Sequence, residues 1–357
     1  MTPTWRGDDR FLVFRMDNIA QTIMAMPAIR AMRTTLPESR ITLMTSQGAA
    51  DLGPCLYGVS DIVPFTSAWS DARKEMPFDP DREKAMIEEI KDGKFDAAIV
   101  LTNQAQSPLP AAYAAYMAGI RLRLGRSAEV PGSLLTTRLR GFGQGHEVER
   151  CLEVVAAWGF AGTGSTRGVL QTPEKVAASA AKLLENHEVA GRPYAVIHAG
   201  ADSRGKEVGP DAFARVMVEL STRFGFLPVL TGLPHERLAA EWVAGEAGTP
   251  ALVLAGETSI PELAAVVEGA RVVVSANLSP LHVASAFGVP SLLVHDESKP
   301  PASWLPLGRT ACIDSSKGDA AEVLIALLEA DEGSMASAAQ TCAPVGSGAG
   351  AGEMAAI

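Results

Sequence analysis

Short apolar runs alternate with helix-period segments through this sequence in two successive series. In the first series, residues 11–15, 41–44 and 95–102 read as buried strands. Helical spacing recurs from Ile19 through Ile23, Met26 and Ile29, again over 83–90 and 108–119, and most clearly over 146–159 (HEVERCLEVVAAWG). Residues 60–80 are rich in Pro, Asp and Ser and read as loop. In the second series, strands are expected at 194–200, 227–232, 251–256, 271–275 and 291–295. Helices are expected at 211–224, after Pro234, from the Ser259-Ile260-Pro261-Glu262 capping box, from Ser279-Pro280 and over 318–330. Strands joined through helices by short links must run parallel, with helices on both faces. Two such units in one chain place a ligand cleft between them, at the carboxyl ends of the strands.

Length agrees with two units, since 357 residues exceed one ordinary core. The predicted division is a first domain over 1–165, a linker helix over 166–190 and a second domain over 191–330. A Gly/Ala/Ser-rich tail over 331–357 lacks the apolar content to order itself. A net charge of −10 argues against generic nucleic-acid binding. No run of 18 apolar residues is present, and MTPTWRGDDR is no secretory signal. Cys55, Cys151, Cys312 and Cys342 are far apart, fit reduced structural thiols in a cytoplasmic protein, and form no metal-binding pair.

The strand ends carry the chemistry. After 194–197 comes His198-Ala199-Gly200, followed by Asp202, Arg204 and Lys206; small residues let backbone amides approach an anion, and a lysine adds charge. After 227–230 comes Thr231-Gly232, with Glu236 four residues on. A carboxylate there suits the two hydroxyls of a ribose, or it serves only the helix dipole. After 271–274 comes Ser275-Ala276-Asn277-Leu278-Ser279, with His282 in the first helical turn, as a phosphate contact or a packing residue. Together these favour a nucleotide or sugar-nucleotide. At the first strand end stands FRMDNIAQTIMAMP, a loop without glycine whose polar residues include Arg15, Asp17, Asn18 and Gln21. Asp17 and Gln21 read either as capping and helix-surface residues or as parts of a reactive site. Residues 121–140 hold five arginines, Arg121 and Arg123 among them, and one acid. That stretch reads as a solvated face, or as one turned to a phosphorylated acceptor or anionic headgroups.

These motifs, in this order, resemble glycosyltransferase family 9, the ADP-heptose:lipopolysaccharide heptosyltransferases. The resemblance runs from the Arg15–Pro27 segment through VIHAGADSRGKEV, VLTGLPHE and LAGETSIPELAAVV to VVVSANLSPLHVASAFGVPSLLV. It implies a GT-B fold, in which two doubly wound parallel-sheet (Rossmann-like) α/β domains face a cleft. The acceptor would bind in the first and the sugar-nucleotide mainly in the second. It implies inverting transfer of a heptose or related sugar from an ADP-linked donor, without metal or other cofactor, to a hydroxyl of a glycan, lipid-linked sugar or small natural product. On this resemblance, His198, Gly200, Lys206, Gly232, Glu236, Asn277, Ser279 and His282 would hold the donor; Arg15 and Asn18 of the first strand-end loop, with Arg121 and Arg123 of the arginine-rich stretch, would hold the acceptor. The protein would work in the cytoplasm, with peripheral contact at the inner face of the membrane.

The departures are specific. The family's Gly-Asp falls on Ala20-Gln21, and that Asp is regarded as the general base. A second family Asp falls on Asn277, the next Ser/Thr on Leu278 and the Gly on Ser279. Val208 stands near a usual aromatic. An amide at position 21 cannot accept the acceptor's proton. Asp17, on the same face as Gln21 if the turn is helical, would be a relocated base, with Gln21 holding the acceptor. Otherwise the acceptor supplies its own anionic group, or the protein binds sugar-nucleotides without transferring.

Overall fold

The structure, a computed structural model, describes residues 3–70, 76–189, 191–200, 208–295, 300–315 and 320–329. Lys206, Asp202, Arg204 and the 331–357 tail lie outside the described residues.

The first half follows β1 (Arg10–Arg15), α1 (Ile19–Thr35), β2 (Arg40–Thr45), α2 (Gln47–Ala50), β3 (Asp61–Pro64), α3 (Pro80–Asp92), β4 (Ala97–Val100), α4 (Leu109–Met117), β5 (Leu122–Ser127), β6 (Thr137–Arg140) and α5 (Glu147–Ala156). Helix α6 (Glu174–Asn186) leads to the second half. There the order is β7 (Tyr194–His198), α7 (Pro210–Thr222), β8 (Leu227–Leu230), α8 (Arg237–Ala247), β9 (Leu252–Val253), α9 (Ile260–Glu268), β10 (Val273–Ser275), α10 (Leu278–Phe287), β11 (Ser291–His295), β12 (Thr310–Asp314) and α11 (Ala320–Glu329).

Both sheets are six-stranded, with orders β3-β2-β1-β4-β5-β6 and β12-β11-β10-β7-β8-β9, and every pairing is parallel. Each is the doubly wound order, in which the chain leaves the first strand to one side and later returns to the other. The switch points therefore lie between β1 and β4 and between β7 and β10, and ligands bind outside the carboxyl ends of such strands.

Burial explains the pattern. Strands β1, β4 and β7 are apolar because helices cover both faces. Helix α1 is buried almost all round, from Ala20 to Met32, and packs on α5 and on α10 of the other half. One apolar cluster runs from Ile29 and Met32 through Val169 to Leu281 and Ala284, across the two halves. Polar links follow the same seam: Arg30 donates to the carbonyl of Arg167 (2.7 Å), Gly168 N–H to that of Ala286 (2.8 Å), and Thr166 and Ser285 share a hydroxyl contact (2.8 Å).

Several expectations change. Residues 61–64 form an edge strand where loop was expected, and the arginine-rich stretch contains β5 and β6. The cap of α10 is Asn277, two residues before the expected Ser279; its side chain accepts the Ser279 amide (2.9 Å). Cys55 and Cys151 are free and buried, but Cys312 is disulfide-bonded, which corrects the expectation of four reduced thiols. Among the described residues no helix is long and apolar enough to cross a membrane.

Candidate active site

The second-half switch point opens into a cavity of about 220 Å³. His198 reaches it from β7, Gly232 and Glu236 from the β8 end, and Asn277 and Ser279 from the start of α10. Glu236 owes its place to two glycines. A Cβ at Gly200 would lie 2.1 Å from its Oε1, and one at Gly232 would lie 3.0 Å from its Oε2. Leu233 N–H donates to Oε2 at 2.6 Å, so the carboxylate is anchored at one oxygen. His198 is buried beside it with Nδ1 unpartnered. Burial pushes the His198 ring below its usual range, and the Glu236 charge opposes the shift.

The opposite wall is apolar. Ile260, Leu263, Ala264 and Val267 of α9 face Pro280 and Val283 of α10, with Thr258 at the edge. A polar edge and an apolar slot of this kind suit a nucleoside. Ile19, the first residue of α1, also lines the cavity, so the first half closes it. The sequence reading assigned no residue of the α9 wall; the period of IPELAAVV indicates only that α9 buries one face.

His282 is placed differently from the expected phosphate contact. It is fully buried and absent from the cavity wall, with Nε2 3.0 Å from the Trp304 carbonyl. Burial pushes it down to about 4.

At the first-half switch point the loop between β1 and α1 is held by a buried ionic network. Arg15, fully buried, places Nε 3.0 Å from Asp17 Oδ2 and Nη1 2.9 Å from Glu147 Oε1, and its Nη2 donates to Gln21 Oε1. Glu147 Oε2 lies 2.8 Å from Arg150. Two guanidiniums and two carboxylates thus balance in a space where an unpaired charge would be costly. Burial works against the Arg15 charge, but Asp17, Cys151 and Glu147 together hold it above its ordinary value. Burial pushes the neighbouring Cys151 thiol up to about 12.

Asp17 precedes the helix rather than lying in it. The cap of α1 is Asn18, whose side chain accepts the Gln21 amide (3.0 Å). The conditional placement of Asp17 and Gln21 on one helical face is therefore corrected. Arg15 instead brings them together from behind. The other Asp17 oxygen accepts from Gln106 (2.5 Å) and Asn103 (3.4 Å), both in the β4–α4 loop. Those two amides line a second cavity, of about 160 Å³, which also has Arg126, Arg150, Glu129 and Phe142 in its wall. Arg126 and Glu129 come from the arginine-rich stretch 121–140; nothing in the sequence singles out the other four.

Arg123, expected to face the acceptor, turns inward. Its guanidinium donates to the carbonyls of Leu134 (2.7 Å), Arg121 (3.0 Å), Ser133 (2.7 Å) and Ile120. It ties down the β5–β6 connection. Arg121 is exposed at the start of β5.

Two six-stranded, doubly wound parallel sheets with flanking helices define a two-domain α/β protein of the GT-B type. The family model for glycosyltransferase family 9 (heptosyltransferase) matches residues 84–322, more than half of the chain. The chain belongs to that glycosyltransferase family. Among solved structures it is similar to a family 9 glycosyl transferase from Veillonella parvula DSM 2008, at 17% identity over 93% of this chain and 96% of that one, with a TM-score of 0.72. It is also similar to the E. coli ADP-heptose LPS heptosyltransferase II, at 18% identity over 90% and 98%, TM-score 0.68. A third similar structure is E. coli heptosyltransferase WaaC with ADP, at 20% identity over 93% and 99%, TM-score 0.66. At these identities the likeness establishes the fold. No curated protein sequence matches the chain.

Proposed function

We propose that the protein is an inverting, metal-independent glycosyltransferase that moves a heptose-like sugar from an ADP-linked donor to a hydroxyl on a glycan, lipid-linked sugar or small natural product. One observation carries the donor side: His198, Gly232, Glu236, Asn277 and Ser279, drawn from three strand ends, line one cavity with an apolar slot. Glu236 would take the ribose hydroxyls, the α9 wall the base, and Asn277 the donor sugar. Gly200, Ser279 and Lys206 would surround the diphosphate, and His282 would support the helix start from behind. Adenine, inversion and independence from metal are taken from the family resemblance.

The acceptor would occupy the 160 Å³ cavity, in the domain assigned to 1–165, across the cleft from the donor domain at 191–330. An acceptor hydroxyl arriving there can replace the Gln106 amide at Asp17 Oδ1, which makes Asp17 the candidate base and Gln21, through Arg15, the group that orients it. We place the protein in the cytoplasm, at the inner face of the membrane where the acceptor is lipid-linked.

A second reading has its own observation. Position 21 holds an amide, and both Asp17 oxygens are already engaged. A non-catalytic sugar-nucleotide-binding protein would have these features. Calorimetric titration with ADP, UDP and GDP, followed by transfer assays on wild type and Asp17→Asn, separates the two. ADP preference with turnover that Asp17→Asn abolishes supports the transferase. Tight ADP binding without turnover over a broad acceptor panel supports the binding protein, and no nucleotide binding refutes both.

A further inference from the structure

One side chain at the start of α5 bridges the two halves. His146 caps α5: its Nδ1 accepts the Val148 amide (3.2 Å), and its own amide donates to Glu149 Oε2 (3.1 Å). Its Nε2 lies 2.8 Å from the carbonyl of Leu305, in the second half. A carbonyl can only accept, so Nε2 carries the ring proton, and Nδ1, facing an amide, carries none. One neutral tautomer satisfies both contacts.

Each contact leads to a site. The residue after His146 is the buried Glu147, which holds Arg15, which in turn holds Asp17 and Gln21. On the other side, Leu305 follows Trp304, whose carbonyl binds His282 (3.0 Å), and Ser285 donates to the carbonyl of Leu307. His282 and Ser285 belong to α10, whose cap Asn277 and first-turn Ser279 line the donor cavity. The 302–307 backbone is thus strapped to α10 by two side chains and to α5 by His146.

We propose that His146 is a positioning residue that couples occupation of the donor cavity to the placement of the Arg15–Asp17–Gln21 loop. The identity of the ligand rests on the function proposed above; the bridge itself does not. Coupling of this kind needs an element that both sites bias, and the 302–307 strap is that element.

The test is backbone hydrogen–deuterium exchange on the full chain, with and without saturating ADP, for wild type, His146→Asn and His146→Ala. Asparagine keeps a capping oxygen for α5 but is too short to reach Leu305. In wild type, ADP is expected to slow exchange at residues 15–22. In His146→Asn, ADP affinity should stay within about threefold and the melting temperature near wild type. Exchange over 302–307 should quicken about two- to tenfold, as for one lost hydrogen bond, and ADP protection at 15–22 should vanish. His146→Ala should also lower the melting temperature. Retained ADP protection at 15–22 in His146→Asn overturns the proposal. If ADP does not bind wild type, the ADP reading fails and the ligand-free comparison decides. Faster exchange in both 302–307 and 15–22 on His146→Asn then supports the bridge; no change at 15–22 overturns it.

Discussion

Adding a single methyl group at Gly200 tests whether the Glu236 carboxylate binds the donor. The new Cβ would fall 2.1 Å from Glu236 Oε1, 2.8 Å from its Cδ and 3.1 Å from His198 Nε2. The backbone at Gly200 is outside the left-handed region, so alanine fits it without strain. The carboxylate must therefore retreat by more than 1 Å from an ordinary contact. Its Oε2 is tied to Leu233 N–H at 2.6 Å, and Gly232 lies close behind. The open direction is the 220 Å³ cavity, where the displaced oxygen would occupy ribose volume. Losing one hydrogen bond to a charged group costs about 1.5–3 kcal/mol, so Gly200→Ala should weaken ADP binding about 10- to 150-fold by calorimetry. In a Glu236→Ala background the same methyl should change little, because the group it displaces is gone. ADP affinity within threefold of wild type, or an equal loss in both backgrounds, refutes the placement of Glu236 on the ribose.

Gln21→Asp puts a carboxylate where Arg15 Nη2 now meets an amide oxygen, and should raise transfer by about 10- to 100-fold if the missing base limits the rate. An unchanged rate in donor-turnover assays would leave proton removal to Asp17. Glu147→Gln removes an anion shared by Arg15 and Arg150 in a buried site and should cost about 3–5 kcal/mol in urea unfolding; a loss below about 1 kcal/mol would contradict the charge balance described for the network. His282, neutral when folded because burial pushes it from 6.5 to about 4, takes up a proton first in the unfolded chain. Its share of stability is present above pH 6.5 and is lost as pH falls from 6.5 to 4, by about 3 kcal/mol in all. His282→Gln should flatten that slope, leaving the share of His198, which burial also pushes down; an unchanged slope in pH-resolved urea melts would contradict the assignment.

What could be read along the chain was whatever depends on neighbours in sequence. Buried strands such as β1, β4 and β7 announce themselves as apolar runs, and the capping box at Ser259–Glu262 appears as expected. Strands β3 and β6 were hidden because edge positions tolerate polar and charged residues, and β5, one place in from the edge, because Arg123 and Arg126 interrupt its apolar pattern. Arg123 reads as a surface charge until four carbonyls, brought to it by the β5–β6 connection, surround it. The polar rim of the 220 Å³ cavity was legible because His198 ends a strand and Gly232 and Asn277 each follow one by two residues. The α9 wall was not, since Leu263 or Val267 differs from a core residue only in what faces it.

The β1–α1 loop was legible in its departure from the family pattern and illegible in what surrounds it. Gln21 stands out against the family pattern from sequence alone, but its consequence depends on residues more than 80 positions away. Asn103 and Gln106 reach Asp17 from the β4–α4 loop, and Glu147 reaches Arg15 from α5. Arg15 is the centre of this arrangement. With Asp17 and Glu147 it already has two anions, and Arg150 offsets one of them. A third carboxylate at position 21 would leave the buried cluster with one uncompensated negative charge among the four residues now balanced, unless a proton or a bound cationic group met it. The amide removes that excess while keeping an oxygen toward Arg15. The loop is thereby charge-balanced where a carboxylate at position 21 would add an excess charge. The Gln21→Asp variant is consequently expected to lose stability as it gains turnover, and urea unfolding and donor turnover measured on the same preparation should move in opposite directions. A variant that gained turnover with unchanged stability would mean that the buried network tolerates the extra charge, and that charge balance is not the reason for the amide.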